Sequence, residues 1–422
     1  MTEEFLHFLW NTHRFDLRDL KTTDNKSVII KKFGVLNTNA GPDFLDARVI
    51  IDGTLWAGNI EFHILSSDWY KHKHNLDRAY DNVILHIVLE ENEKVYRDNV
   101  HPIPCVEVKR RVPRNIQLKY VDLLTQTKWI PCEKMLPQVP ELTKTMWLQK
   151  VLVERIEEKT TLLKEVLHQN QNDWEKSFYI YLARHFGVKI NQEPFETLAR
   201  ITPLHIIQKH SANLFELEAI LFGQAGFLEE PFNAEYPLSL QKEYRFLKVK
   251  YGLQAMEKSN WKFFRLRPVA FPTLRIAQFA AFLHQDARPF STLISQNSIF
   301  ELEKYFKVET STYWHQHYNF EKEGKQLPKH SGGTMIHRLI INAAVPALFL
   351  YGKWKGKDEL KEVAFDLLEQ IPGEENKIIR TWNKLGLKAD TSADSQALIH
   401  LKTRYCDPQR CLECSLGTSL LR

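Results

Sequence analysis

Cysteine is scarce in this chain: five in 422 residues, three of them within the last seventeen. So few, placed so unevenly, exclude a disulfide framework and fit a metal site in a reducing compartment. Excess charge is modest as well. A net +5 permits nucleic acid as a partner without arguing for it. Long apolar runs are missing: the longest, Leu339 to Gly352, falls short of the ~20 residues of a bilayer span and contains Asn342 and Pro346. No membrane association is expected. The Met1-Thr2-Glu3-Glu4 start is acidic and no apolar h-region follows, against a secretory signal. Fixed-period repeats and low-complexity tracts are absent too. With 43% hydrophobic and 26% charged residues, these absences leave a cytoplasmic, soluble protein of two or three domains.

What the chain does have is a concentration of acids and histidines between Gly41 and Glu90. Asp43 stands at a strand entry, Glu61 and His63 lie on the next strand, and His72, His74, Asp77 and His86 follow. Polar and apolar residues alternate through Asn59-Ile60-Glu61-Phe62-His63-Ile64. A strand sends alternate residues to opposite faces, so Glu61 and His63 project together while Ile60, Phe62 and Ile64 pack behind them. Asp52-Gly53-Thr54 reads as the tight connection of a hairpin between this strand and the preceding Ala47–Ile51 run. Such a hairpin can bring Asp43 beside Glu61.

Pro42-Asp43 at one strand and Glu61-Phe62-His63 on the next resemble the motif of the PD-(D/E)XK restriction-endonuclease-like nucleases, with His63 where lysine is usual. The element order agrees: a helix (Glu3 to Trp10), a strand (Ser27 to Phe33), the hairpin, a helical link (Ser66 to Tyr80) and an apolar strand (Val83 to Leu89). The resemblance implies that Asp43 and Glu61 hold a divalent metal for phosphodiester hydrolysis. Glu4 is a candidate for the extra acid such cores carry on their first helix, against a solvated first-turn glutamate. Lys31 or Lys32 could supply the missing lysine from another strand. The whole chain also resembles an uncharacterised bacterial domain-of-unknown-function family. That likeness rests on GPDF, GNIEFH, SSDW, YDNVILH, Arg267-Pro268 through Phe271-Pro272, Arg275-Ile276-Ala277-Gln278 and Tyr405-Cys406 to Gly417. It implies no activity.

In the polar link, Trp69 and Tyr70 are anchors, and His72 or His74 either touches substrate or metal or sits on a solvated turn. Asp77 and Tyr80, three apart, read as neighbours on a helix face. His86 lies within a continuous apolar run typical of a strand buried on both faces, so it must find a partner there, structural or catalytic. Ile103 to Lys109 reads as a further strand. Cys105 and Cys132 read as buried small apolar residues.

From about Pro137 the apolar spacing becomes helical. It does so over Glu141–Leu167, Trp174–Phe186, Glu216–Phe222, Leu238–Tyr251, Leu274–His284, Leu293–Phe306, Ile336–Tyr351, Lys357–Leu368 and Asn376–Lys384. Arg265, Arg267 and Arg275 gather with Trp261, Phe263, Phe264 and Phe271 at a helix entrance. That composition suits phosphate and base contacts, or a loop of arginine–carboxylate pairs over a phenylalanine core. Lys329 to Thr334 has glycines but not the spacing of a phosphate loop, and reads as a connection into the Ile336 helix. At the end, Cys406-x4-Cys411-x2-Cys414 offers three thiolates for zinc or an iron–sulfur cluster, with His400, Cys132 or a more distant residue as fourth ligand. Free thiols on a packed turn are the alternative.

The expected fold is α+β: a restriction-endonuclease-like α/β core with a mixed sheet over residues 1–135. A mostly α-helical domain over 136–422 follows, tied down by the cysteine-rich tail. The expected function is a metal-dependent nuclease. Asp43 and Glu61 would hold Mg²⁺ or Mn²⁺, and His63 would orient or deprotonate a water, or ligate the metal itself in favour of Mn²⁺ or another transition metal. His72, His74, Arg265, Arg267 and Arg275 would bind substrate. An inactive nucleic-acid-binding protein on the same scaffold, or a metal-dependent hydrolase of another substrate, are the alternatives.

Overall fold

The computed structural model describes every residue except 98, 99, 126, 321, 325, 328 and 422. The chain forms two compact units: residues 1–147 together with 402–422, and residues 148–401. The boundary lies about a dozen residues beyond the expected one, and the cysteine-bearing tail returns to the first unit.

The first unit is built on a mixed sheet. Its strands are β1 (Val28–Lys32), β2 (Val35–Leu36), β3 (Phe44–Ile51), β4 (Thr54–Leu65), β5 (Val83–Glu90) and β6 (Cys105–Glu107). They are ordered β1-β3-β4-β5-β6, with β2 also on β3. The β3–β4 pair is the expected hairpin, in register Ile51↔Thr54. Its two-residue turn puts Asp52 (φ 49°) and Gly53 (φ 82°) in the left-handed region, the geometry that suits the twist of the flanking strands. β5 joins β4 in parallel and β6 joins β5 in parallel. Residues Val83–Val88 of β5 are all buried, as its apolar run requires.

Helix α1 (Glu3–Asn11) buries Phe5, Leu6, Phe8, Leu9 and Trp10. The Trp10 ring meets Phe62 at 5.6 Å, and Phe5 stacks on Tyr120 at 4.2 Å. Phe62 and Phe44, 5.4 Å apart, form the apolar backing of the hairpin. The link between β4 and β5 is less regular than its sequence suggests. One turn of helix, α2 (Asp68–Lys71), is followed by 3₁₀ turns at His74–Leu76 and Arg78–Tyr80. Lys73 breaks the link in the left-handed region (φ 62°). Asp77 caps the second 3₁₀ turn by accepting from the Ala79 N–H at 2.9 Å, so it does not share a helix face with Tyr80.

The second unit is helical around one continuous core. Helices at Trp174–Phe186, Leu214–Gln224, Glu235–Tyr251, Pro272–Gln285, Asp358–Gln370 and Lys377–Lys384 follow the periodicity of the sequence. The Leu293–Phe306 pattern divides into Pro289–Leu293 and Ile299–Phe306, the latter started by Ser298, whose hydroxyl accepts from the Glu301 N–H. Gln192–Ile201, Leu204–His210 and Ser392–His400 are further helices that the periodicity did not reveal. Residues Gly333–Lys355 form one helical run of 23 residues, long and apolar enough by length and composition to cross a membrane, longer than the apolar stretch read from the sequence. Its most apolar window is 72% buried inside the fold, the behaviour of a core helix. A π-helical turn at Ile340–Ala344 precedes Pro346. Proline has no N–H to offer the Asn342 carbonyl, which instead accepts from the Tyr181 hydroxyl at 2.9 Å.

Candidate metal centre

Strand β4 carries Glu61 and His63 on one face, as alternation requires, and its parallel register sets Glu61 opposite His86 of β5. All three side chains are buried, at 4%, 1% and 0% exposure. The link from α2 onward folds over them. Trp69 lies against His86 (5.6 Å) and His74 (5.4 Å), and Tyr80 stacks on His74 at 3.8 Å. These aromatic contacts pack the irregular segment against the centre, in addition to its own backbone hydrogen bonds.

The polar geometry is dense. His63 Nδ1 is 2.8 Å from His86 Nε2, and His63 Nε2 is 3.2 Å from His72 Nδ1. Glu61 Oε1 lies 3.3 Å from His74 Nε2 and 3.8 Å from His63 Nε2. The other Glu61 oxygen accepts the Asp43 backbone N–H at 3.1 Å, while Asp43 Oδ2 accepts the Phe62 N–H at 2.9 Å. The two acids are thus clasped across the hairpin through each other's backbone. Asp43 Oδ2 also pairs with His7 Nε2 of α1 at 3.1 Å.

Burial, and then the neighbouring charge of Asp43, hold the Glu61 carboxyl well above the usual carboxylate range. Burial, followed by the surrounding histidines, pushes His63 far down. Burial pushes His86 down to about 3, and lowers His74 as well. Burial thus favours the neutral imidazole at His63, His74 and His86, the form that binds a metal. Among the described residues, His63, His72 and His74 are the one group of three or more such side chains whose ligand atoms all lie within 4.8 Å of one another. The nitrogens of two histidines on one tetrahedral ion stand about 3.3 Å apart, close to the 3.2 Å between His63 and His72.

The first helix contributes other residues than the sequence suggested. Glu4 is exposed and lies near Tyr120. Glu3 and His7, one helical turn apart, face the centre, where burial raises Glu3 and His72, Asp43 and His7 also act on it. The signal was available: His7 interrupts the apolar run Phe5-Leu6-His7-Phe8-Leu9-Trp10. Lys32, a candidate for the missing lysine, pairs instead with Asp46.

The three arginines of the second unit do not form one patch. Arg265 and Arg267 are exposed, Arg265 lying over the Phe264 ring at 5.2 Å. Arg275 is 9% exposed inside the Pro272–Gln285 helix and donates to Gln278 Oε1 at 2.8 Å. Lys329 to Thr334 leads into the helix beginning at Gly333. His400 is buried in the second unit, with Nδ1 3.2 Å from Glu158 and Nε2 3.8 Å from Glu154. Cys406, Cys411 and Cys414 belong to the first unit, as does Cys132.

No curated protein matches the chain, and no solved structure does. Residues 3–377 match the model of a family described as "Protein of unknown function (DUF2851)", and the chain belongs to that family.

Proposed function

We propose that this protein is a divalent-metal-dependent hydrolase that cleaves phosphodiester bonds of DNA or RNA. The observation that carries the reading is the convergence of His63, His72 and His74 within 4.8 Å, beside the clasped Asp43 and Glu61. The order of helix, hairpin, link and parallel strand around Pro42-Asp43 and Glu61-Phe62-His63 supports the phosphodiester class, since it is the order the nuclease resemblance calls for.

The donor set favours one class of metal. Three imidazoles with a carboxylate suit Mn²⁺, Zn²⁺ or Fe²⁺ better than Mg²⁺, which prefers oxygen ligands. An ion held there would supply Lewis acidity toward a water and a phosphate oxygen. The protein's own groups then divide the remaining work. His86 orients His63 from behind. Burial favours the protonated form of Glu61, which would give up that proton to hold a cation.

His63 has one nitrogen turned to His86 and the other into the centre, so it is a poor general base. His7 fits that role better, because its Nε2 stands 3.1 Å from Asp43 Oδ2, which leaves Nδ1 as the nitrogen to take a proton from water. The exposed Arg265 and Arg267, with Phe264 80% exposed beside them, offer phosphate and base contacts in the second unit. The same observation favours the second reading, a binding protein without catalysis.

The test incubates the purified protein with single- and double-stranded DNA and RNA in Mn²⁺, Zn²⁺, Mg²⁺ or chelator, beside His63→Ala and Glu61→Ala. Metal-dependent cleavage lost in both variants is expected. Bound metal without cleavage of any nucleic acid would move the reading to a hydrolase of another substrate. Salt-sensitive nucleic-acid binding unchanged by Asp43→Ala, and without cleavage, would favour the binding protein.

A further inference from the structure

Four of the five cysteines share one neighbourhood of the first unit, although Cys132 is far upstream of the other three. Packing brings them there. Lys402 Nζ lies over the Trp129 ring at 5.0 Å, joining the start of the tail to the turn that carries Cys132. Trp147 meets Tyr405 edge-on at 5.2 Å, and Arg410 covers Tyr405 from 4.9 Å. Gly417 folds back on Cys411 so closely that a Cβ there would stand 2.3 Å from the Cys411 carbonyl oxygen, so only glycine allows the return.

The sulfurs act on one another. Burial, then Cys414 and Cys411, push Cys132 up to about 12. Burial, then Cys414, Cys132 and Cys411, raise Cys406, and burial with Cys414 pushes Cys411 up to about 12. The fifth cysteine, Cys105, stands apart on β6 beside Glu91 and Glu107. Burial raises Cys414 as well, against the lowering effect of the Gly417 and Leu416 backbone N–H groups and the Trp147 indole.

The spacing of the sulfurs decides what they would hold. Four thiolates on a single zinc ion, with bonds near 2.3 Å, stand about 3.8 Å apart. Among the described residues, no three cysteine sulfurs form a group within 4.8 Å of one another, as His63, His72 and His74 do. The set is gathered without that convergence. A multinuclear cluster spreads its ligands wider than one ion does, and Cys-x4-Cys-x2-Cys is a run such clusters use, here with the distant cysteine before it rather than after. We propose that Cys132, Cys406, Cys411 and Cys414 ligate an iron–sulfur cluster that fastens the tail to the first unit. Cys132 is the fourth ligand, and His400, turned to Glu154 and Glu158, is not. The proposal is independent of the hydrolase reading.

The experiment purifies the full chain without oxygen and measures iron, acid-labile sulfide, zinc and visible absorption before and after reconstitution with ferrous iron and sulfide. Iron and sulfide in comparable amounts with a broad visible charge-transfer absorption are expected. Cys132→Ser should lose them as completely as Cys411→Ser, while Cys105→Ser and His400→Ala retain them. Zinc in place of iron, no cluster after reconstitution, or a cluster undiminished in Cys132→Ser would each overturn the proposal. Should the serine variants not fold, alkylation of the wild-type protein reads the same ligands. Four thiols protected in the loaded protein and released by an iron chelator are expected, and protection that spares Cys132 would overturn its assignment.

Discussion

His63 Nδ1 lies 2.8 Å from His86 Nε2, and this contact assigns the work of both rings. With a proton on His63 Nδ1 donated to His86, the lone pair of His63 Nε2 points toward His72 and His74. The partner behind a metal-binding histidine fixes its tautomer and raises its basicity.

His86→Leu should therefore weaken Mn²⁺ or Zn²⁺ binding by about 10- to 100-fold, while His63→Ala abolishes it. Titration calorimetry measures both. Equal affinities for wild type and His86→Leu would remove His86 from the centre.

Helix α1 supplies a second contrast. His7→Ala should slow metal-dependent cleavage by about 10²- to 10⁴-fold, the usual contribution of a general base, with metal affinity kept. Glu4→Ala, on the exposed side of the same helix, should change neither. A His7→Ala enzyme that turns over at the wild-type rate would exclude the base assignment.

In the second unit, Glu218 is fully buried and its Oε2 accepts from the Tyr236 hydroxyl at 2.5 Å and the Trp314 indole at 3.2 Å. Burial raises its pKa from 4.5 to about 7, against the lowering effect of those hydrogen bonds. The folded state thus keeps a proton that the unfolded state gives up between these values. Stability from this group is full below pH 4.5, falls as pH rises toward 7 and is constant above. Glu218→Gln stays neutral throughout. It should gain on wild type by on the order of 3 kcal/mol between those limits, read as the difference between the two denaturation midpoints across pH. Parallel curves would show that Glu218 ionises normally.

Backbone approach gives the last contrast. A Cβ on Gly58 of β4 would stand 2.5 Å from the Asn82 carbonyl oxygen and from Ile84 Cγ2, beside the irregular start of the β4–β5 pairing. Gly58→Ala should cost about 1–3 kcal/mol in chemical denaturation. Gly53→Ala tests a different term, because nothing stands within 4 Å of that position but its φ is 82°. Destabilisation there comes from backbone strain alone.

Several of these features were readable in the chain itself. The Asp52-Gly53 pair specified its turn, and strict alternation placed Glu61 and His63 on one face, because both are local rules of φ and of strand geometry. The apolar run of β5 announced a strand buried on both sides. A helix start was readable but overlooked at Thr391, whose side chain and that of Asp394 cap each other's backbone. Other features had no local signal. The link from Ser66 to Tyr80 has the composition of a helix but is held by Trp69 and Tyr80 against histidines, so tertiary contacts overrode propensity.

By itself, the sequence determined the hairpin, the shared face of Glu61 and His63, the helical second part and the close spacing of the tail cysteines. Each follows from interactions among residues a few positions apart. Tertiary structure decided that His7 and not Glu4 meets Asp43, that Arg275 is buried while Arg265 and Arg267 stay exposed, and that the tail returns to the unit holding Cys132. Those outcomes depend on which surfaces exclude water together, and burial of that kind joins residues regardless of their distance along the chain.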